Sequence, residues 1–253
     1  MHLYITFVLF ILGLVFASFI NALVYRIDKK YKYPDIFIRN SHCEKCKKEL
    51  KWYELIPILS FVIFNGKCKE CGYRVPLYYP ISELLLGLGF GSIYYFQLDW
   101  YYFITLLFLF VLSYYDRVYK GIPKNITHTF LIYGAFIGIF NILNLGIFNY
   151  TTILLSLVLC LTLYTVGRIL KKPFGFGDIL ILLGLGFLLT LSQYILFIYL
   201  FFGISAIYSI AMILLKKLSL KSKIPLLPFM FASFIFTMLL MTLLDNFWIF
   251  NLI

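Results

Sequence analysis

The run LYITFVLFILGLVFASFINALVY at residues 3–25, followed at once by Arg26, decides how the rest of the chain is read. It holds 23 residues without a charged side chain. As a helix rising 1.5 Å per residue it is long enough for a hydrocarbon core of about 30 Å. It is too long for the apolar part of a signal peptide, and no basic segment precedes it. The expectation is a retained first membrane span.

Composition extends that reading along the chain. Of the 253 residues 62% are apolar and 13% are charged, against about 45–50% apolar in ordinary soluble domains. Lipid therefore has to serve as part of the solvent. Apolar windows near 3–25, 80–97, 100–115, 126–144, 150–170, 177–190, 194–215 and 225–247 predict eight spans. The charges test this count. Segment 26–79 carries 12 of the 22 Lys and Arg. The rest are Arg117, Lys120 and Lys124; Arg168, Lys171 and Lys172; and Lys216, Lys217, Lys221 and Lys223, each set in an alternate connection. The connections near Gln97–Asp99, Leu145–Asn149 and Leu191–Gln193 carry none. Basic loops stay in the cytoplasm, so both termini are expected outside and the large loop inside. The net charge of +11 is then an orientation signal in contact with lipid rather than a nucleic-acid surface. The predicted fold class is an all-α membrane protein: a first helix at 1–25, a cytoplasmic insertion at 26–79, and seven membrane helices over 80–253.

The insertion contains Cys43-x2-Cys46 and Cys68-x2-Cys71. Two such pairs place four thiolates around one tetrahedral Zn²⁺, and a cytoplasmic loop disfavours disulfides. Lys45, Lys47, Lys67 and Lys69 flank the sulfurs and favour the thiolate form. Four sulfur ligands leave no open position for water, so a structural zinc-ribbon-like site is expected. Between the pairs, Trp52–Phe61 is too short to span; it lies on the membrane surface or forms the ribbon's own core. Cys160, alone in an apolar run, reads as packing. The string Leu-Leu-Gly-Leu-Gly-Phe recurs at 85–90 and 182–187 and reads as close helix packing.

Three acidic residues fall near or inside spans on the cytoplasmic side: Glu83, Asp116 and Asp178. Ionisable groups at such positions are expensive and point to function. Topology places Asp116 and Asp178 at one depth. Two close carboxylates share one proton, so the ionised member can activate a water while the protonated member polarises a carbonyl, which is peptide hydrolysis. Gly175 and Gly177 before Asp178 allow unusual backbone angles and close approach of another chain. Structural alternatives stand beside this reading: Asp178 as the N-cap of its helix, Asp116 paired with Arg117 or Lys120, and Glu83 in helix packing.

Taken in order, Ala17–Asn21 with Tyr25-Arg26, the two Cys pairs with Trp52–Pro57, Tyr79-Pro80, Glu83-Leu84, Asp116 with Ile122-Pro123, and Gly175–Asp178 resemble the bacterial prepilin peptidases. These type IV leader peptidases and N-methyltransferases belong to the GxGD-type aspartyl proteases. The resemblance runs over nearly the whole chain. It implies eight spans, Asp116 and Asp178 as the catalytic pair, and cleavage of a basic leader from prepilin or pseudopilin substrates at the bacterial inner membrane. It also implies methylation of the new N-terminus by S-adenosylmethionine, and Cys43, Cys46, Cys68 and Cys71 as the cysteine set of the loop. Two positions depart from the pattern: Leu180 where Lys is frequent, and Lys124 where Asp is frequent. The reading from another class is a proton-coupled transporter with a regulatory zinc ribbon, disfavoured because transport sites lie near the midplane.

Overall fold

The computed structural model of the chain describes residues 1–145, 150–169, 175–216, 222 and 224–250. Lys171, Lys172, Lys217, Lys221 and Lys223, used in the charge count, lie outside the described residues, as does most of the connection at 145–149.

The fold is nearly all helical. The elements are α1 (His2–Asp28), α2 (Asp35–Ile38), a 3₁₀ turn (Trp52–Glu54), α3 (Leu59–Ile63), α4 (Tyr78–Tyr95), α5 (Tyr101–Tyr119), α6 (Lys124–Leu145), α7 (Tyr150–Ile169), α8 (Phe176–Leu188), α9 (Leu191–Leu214) and α10 (Leu227–Phe250). The eight longer helices overlie the eight apolar windows. Five of them, α1, α5, α6, α7 and α9, are long and apolar enough to cross a membrane by length and composition. α8 and the Leu227–Met241 part of α10 are shorter apolar helices. α4 has 18 residues, but four tyrosines, Pro80 and Glu83 dilute its apolar character. Large side chains such as Ile132, Phe136, Leu154, Leu161 and Ile207 are exposed. That outward apolar surface suits lipid and not water.

Two compact units divide the chain, Met1–Phe103 and Ile104–Ile253. In the first, α1 and α4 pack antiparallel through glycines. A Cβ on Gly13 would lie 2.7 Å from the Leu86 carbonyl oxygen, and one on Gly87 would lie 2.6 Å from Leu14. Small residues let backbones approach where lipid supplies no hydrophobic drive. Buried Asn21 ties the pair by donating to the Ser82 hydroxyl at 3.0 Å.

In the second unit α8 is the centre. A Cβ on Gly134 of α6 would meet the Gly184 carbonyl oxygen at 2.7 Å, and Gly186 sits directly on Ser156 of α7. Both copies of Leu-Leu-Gly-Leu-Gly-Phe therefore serve close packing. Cys160 is buried and donates to the Ile179 carbonyl at 3.3 Å. The core between helices is filled by Phe130, Ile181, Leu182, Phe197 and Phe234, all fully buried.

Candidate active site

Asp116 stands one turn before the end of α5, with 7% of its surface exposed. Its Oδ2 accepts the Leu227 backbone N–H at 3.0 Å across 111 positions of sequence, and the Leu226 N–H also bonds it. The first N–H groups of a helix have no partner within it. The Leu226 carbonyl accepts from Met230 N, so Leu226 is in effect the N-cap of α10, and leucine has no side-chain oxygen to offer there. Asp116 supplies the cap from another helix. A carboxylate at that end also meets the positive pole of the α10 dipole.

Asp178 lies in the first turn of α8 with 8% of its surface exposed. It is not the N-cap; Gly175 holds that position, without a side-chain cap bond. Its Oδ1 is buried and has no hydrogen-bond partner among the described residues. Gly175 has ordinary backbone angles, φ −58° and ψ 125°, so space and not conformational freedom explains it. A Cβ there would stand 2.5 Å from Asp178 Oδ2. A Cβ on Gly177 would stand 2.9 Å from Ile122 Cδ1, so Ile122 packs onto the Gly-x-Gly segment. The sequence reading anticipated approach of another chain. The structure has the glycines accommodating Asp178 itself and Ile122.

Asp116 lies within electrostatic range of Asp178. One carboxylate is oriented by backbone donors. The other keeps a buried oxygen open. This is the asymmetry a water-activating pair needs, since a bound water or carbonyl has to find a hydrogen-bonding atom not already engaged. Of the two departures from the family pattern, Leu180 is half-buried on α8 and Lys124 is exposed at the start of α6.

The four loop cysteines come together. Cys43 Sγ and Cys71 Sγ are 3.8 Å apart, Cys46 Sγ and Cys68 Sγ 3.9 Å, and all four lie within 4.8 Å of one another. A tetrahedron with metal–sulfur bonds of about 2.3 Å has edges of ~3.8 Å. None is disulfide-bonded. The two halves repeat one design. Cys43 N bonds Lys48 O and Cys68 N bonds Tyr73 O, each at 2.9 Å, and the turns close at Lys47 and Gly72 with positive φ. The donor set and spacing fit zinc. Backbone N–H groups of Cys71 and Glu70 pull the Cys68 thiol down to about 7. The flanking lysine at 69 is not the cause; its ammonium lies over the Tyr53 and Phe64 rings.

Glu83, buried on α4, is part of the first unit. Its Oε2 accepts the Ile58 N–H at 2.9 Å. Ile58 has φ +61° and ψ −51°, and Leu59 N bonds Pro57 O at 2.5 Å. This is a γ-turn of the rare positive-φ kind, strained for a β-branched residue. Glu83 thus holds the turn that separates Trp52–Glu54 from α3. The stretch Trp52–Phe61 has an inner and an outer side. Phe61 lines a cavity, while Trp52, Leu55 and Leu59 are exposed.

Sequence reasoning missed the α10 N-terminus. Its only signal is Pro225 and Pro228 flanking two leucines where an apolar run begins, since proline is tolerated in a first helical turn.

Comparison with known proteins points one way. The Bacterial Peptidase A24 N-terminal domain matches residues 11–97. The chain is 30% identical over 231 residues to the "Prepilin leader peptidase/N-methyltransferase" of Bacillus subtilis, covering 87% of this chain and 88% of that protein. It is 27% identical over 205 residues to the protein of the same name from Pseudomonas aeruginosa, covering 70% of each. With the Vibrio cholerae protein it shares 34% identity over 103 residues, 38% of this chain and 41% of that one. No solved structure matches.

Proposed function

Because the chain belongs to the prepilin leader peptidase/N-methyltransferase family, we propose that it removes the basic leader from prepilin-like proteins by two-aspartate hydrolysis and methylates the new N-terminal amine. The observation that carries the first activity is the buried pair Asp116 and Asp178, in electrostatic range, one capped by α10 and the other with an open oxygen. The pair shares one proton. The ionised carboxylate takes a proton from water as its oxygen attacks the scissile carbonyl, and the protonated one donates to the carbonyl oxygen. Collapse of the tetrahedral species then expels the amine of the mature protein, which takes up a proton.

The membrane reading supports the substrate. Eight spans with cytoplasmic basic loops put Asp116 and Asp178 at the inner edge of the bilayer, with both termini outside. A prepilin carries a cytoplasmic basic leader and an apolar helix, and the bond between them lies at that depth. Zinc held by Cys43, Cys46, Cys68 and Cys71 cross-links the loop and has no role in hydrolysis. S-adenosylmethionine, when bound, supplies an electrophilic methyl group for the amine.

The test is cleavage of a prepilin with a basic leader and glycine before the cut, by the chain reconstituted in lipid. Asp116→Asn and Asp178→Asn each abolish cleavage. Asparagine at 116 keeps an oxygen for the α10 cap, so that variant remains folded and its inactivity reports on chemistry. Cleavage at wild-type rate by either variant overturns the mechanism. Methylation is read as the mass of the mature N-terminus after incubation with S-adenosylmethionine. An unchanged mass at full cleavage overturns the second activity.

A further inference from the structure

The turn at Ile58 is held inside the ends of the two helices that carry the insertion. The Ile58 N–H goes to Glu83 Oε2 at 2.9 Å, and Ser18 of α1 also bonds that carboxylate. Glu83 comes five residues after the start of α4 at Tyr78, which is about 8 Å along the helix axis. Ser18 comes seven residues before Tyr25, where the apolar run 3–25 ends, which is about 10 Å along α1. Both measures put Ile58 below the level at which the apolar run stops. A loop lying wholly in water above the bilayer would not reach that level.

The chain on either side of that turn is apolar on its outward side. Trp52 is 77% exposed, and Leu55, Leu59, Val62 and Ile63 are exposed with it. Leu59, Val62 and Ile63 stand at i, i+3 and i+4 of α3, so they form one stripe, opposite Phe61 and Phe64, which line the cavity within the insertion. From Leu55 to Gly66 there is no charged side chain. Lys51 and Lys67, both exposed, bracket the segment. The start of α4 likewise exposes Leu77, Ile81 and Leu84.

A stripe of large apolar side chains beside a tryptophan is costly to expose to water. At the depth set by Glu83 and Ser18 the solvent is the headgroup and upper acyl region. Tryptophan rings settle there, and in-plane helices bury their apolar faces about 5–10 Å into it. Lysines at both ends of an uncharged segment suit the anionic headgroups of a cytoplasmic leaflet, and their stems let the ammonium groups reach up to them. Water would leave the stripe unanswered, and a protein partner would first have to displace lipid from it.

We propose that α3 and Trp52 form an in-plane membrane anchor, with Trp52, Leu55, Leu59, Val62 and Ile63 seated in the lipid of the inner leaflet. The anchor rests on the reading of α1 and α4 as membrane spans. It makes the insertion a part of the membrane surface and not a soluble module on a tether, and it fixes the height at which the cysteine turns are carried.

The experiment uses the zinc-loaded full chain in vesicles of phosphatidylethanolamine and phosphatidylglycerol, doped with a phospholipid that carries a photoactivatable diazirine on the upper part of one acyl chain. After illumination, lipid adducts are mapped by mass spectrometry. They are expected within residues 52–63 and on the outward side of α1, where Phe16 and Phe19 are exposed, and not on the cysteine turns at 43–49 and 68–73. Val62→Asp puts a charge on the stripe and should lower the adducts in 52–63 about fivefold or more, with those on α1 and the bound zinc unchanged. Prepilin added in excess should leave the 52–63 adducts in place. Adducts on α1 with none in 52–63, equal labelling of 52–63 and the cysteine turns, or equal adducts in folded Val62→Asp and wild type each overturn the anchor. Loss of the 52–63 adducts on adding prepilin overturns it too and gives the stripe to the substrate. Should Val62→Asp fail to fold, the map on the wild-type chain decides alone. Absence of adducts on α1 overturns the span and the anchor together, a different result from an unlabelled 52–63 beside a labelled α1.

Discussion

Consider Gly175→Ala. The added methyl carbon would start 2.5 Å from Asp178 Oδ2. Carbon and oxygen not otherwise bonded settle near 3.3 Å or beyond, so the carboxylate has to retreat by about 0.8 Å. The obstacle is the end of a side chain and not backbone, so folding changes little. Chemistry is where the displacement tells. A misplacement of about 1 Å at a reacting group costs on the order of 10² in rate, which is about 2.7 kcal/mol of barrier. The expected outcome is a 30- to 100-fold fall (order of magnitude) in kcat/KM for prepilin cleavage in proteoliposomes, with a thermal midpoint within a few degrees of wild type. Gly203→Ala is the control. Nothing lies within 4 Å of a Cβ at 203, and alanine within α9 should stabilise by up to ~1 kcal/mol without altering cleavage. If Gly175→Ala cleaves within threefold of wild type, Gly175 is not there to seat Asp178 and the geometric argument fails.

Other expectations follow from the same contacts. Replacing the peptide N–H of Leu227 by an ester oxygen removes a bond to a charged acceptor worth ~1.5–3 kcal/mol, and cleavage should fall at least tenfold; an unaffected rate separates the α10 cap from catalysis. Elemental analysis should give about one Zn²⁺ per chain, as one four-sulfur site requires, lost in Cys43→Ser, and metal-free wild type prepared under reducing conditions would remove the zinc assignment. Glu54 is held below the ordinary carboxylate range by the Lys51 N–H at 2.9 Å and by Lys48. Its folded value is the lower one, so its contribution to the loop is complete above about pH 4.3 and fades as pH falls through the folded value. Protease resistance of segment 26–79 should therefore drop on acidification, and Glu54→Gln should flatten that dependence; identical acid profiles would contradict it. Glu83→Ala leaves the Ile58 N–H unsatisfied and should cost ~1–3 kcal/mol, read as a lower thermal midpoint, whereas Glu83→Gln keeps an acceptor and most of the stability. Equal midpoints for the two would remove the clamp.

What the sequence made legible follows the range of each interaction. Apolar windows report local chain properties, and the eight long helices overlie them. The cysteine pairs carry their own spacing, and their sulfurs do meet. Asp116 and Asp178 could be paired by depth because loop charges alternate. The contacts that orient them were not legible. Leu227 lies 111 positions from Asp116, and its contribution is a backbone N–H that every non-proline residue carries. The γ-turn at Ile58 runs against propensity, since a β-branched residue disfavours positive φ, and the buried Glu83 that accepts its N–H lies 25 positions away. Gly175 was legible as a close approach, but the approaching group, its own helix's aspartate, required coordinates.

The capping of α10 by Asp116 has a consequence for how mutational data on this chain will read. The contact belongs to the main chain, so apolar exchanges at Leu226 and Leu227 conserve it, and a substitution scan would score the segment as permissive. Inserting or deleting one residue between Ile224 and Pro228 would instead turn the helix start by about 100° and aim its donors elsewhere. A position can thus look unimportant in every library of point variants and still fix the register on which the reaction depends.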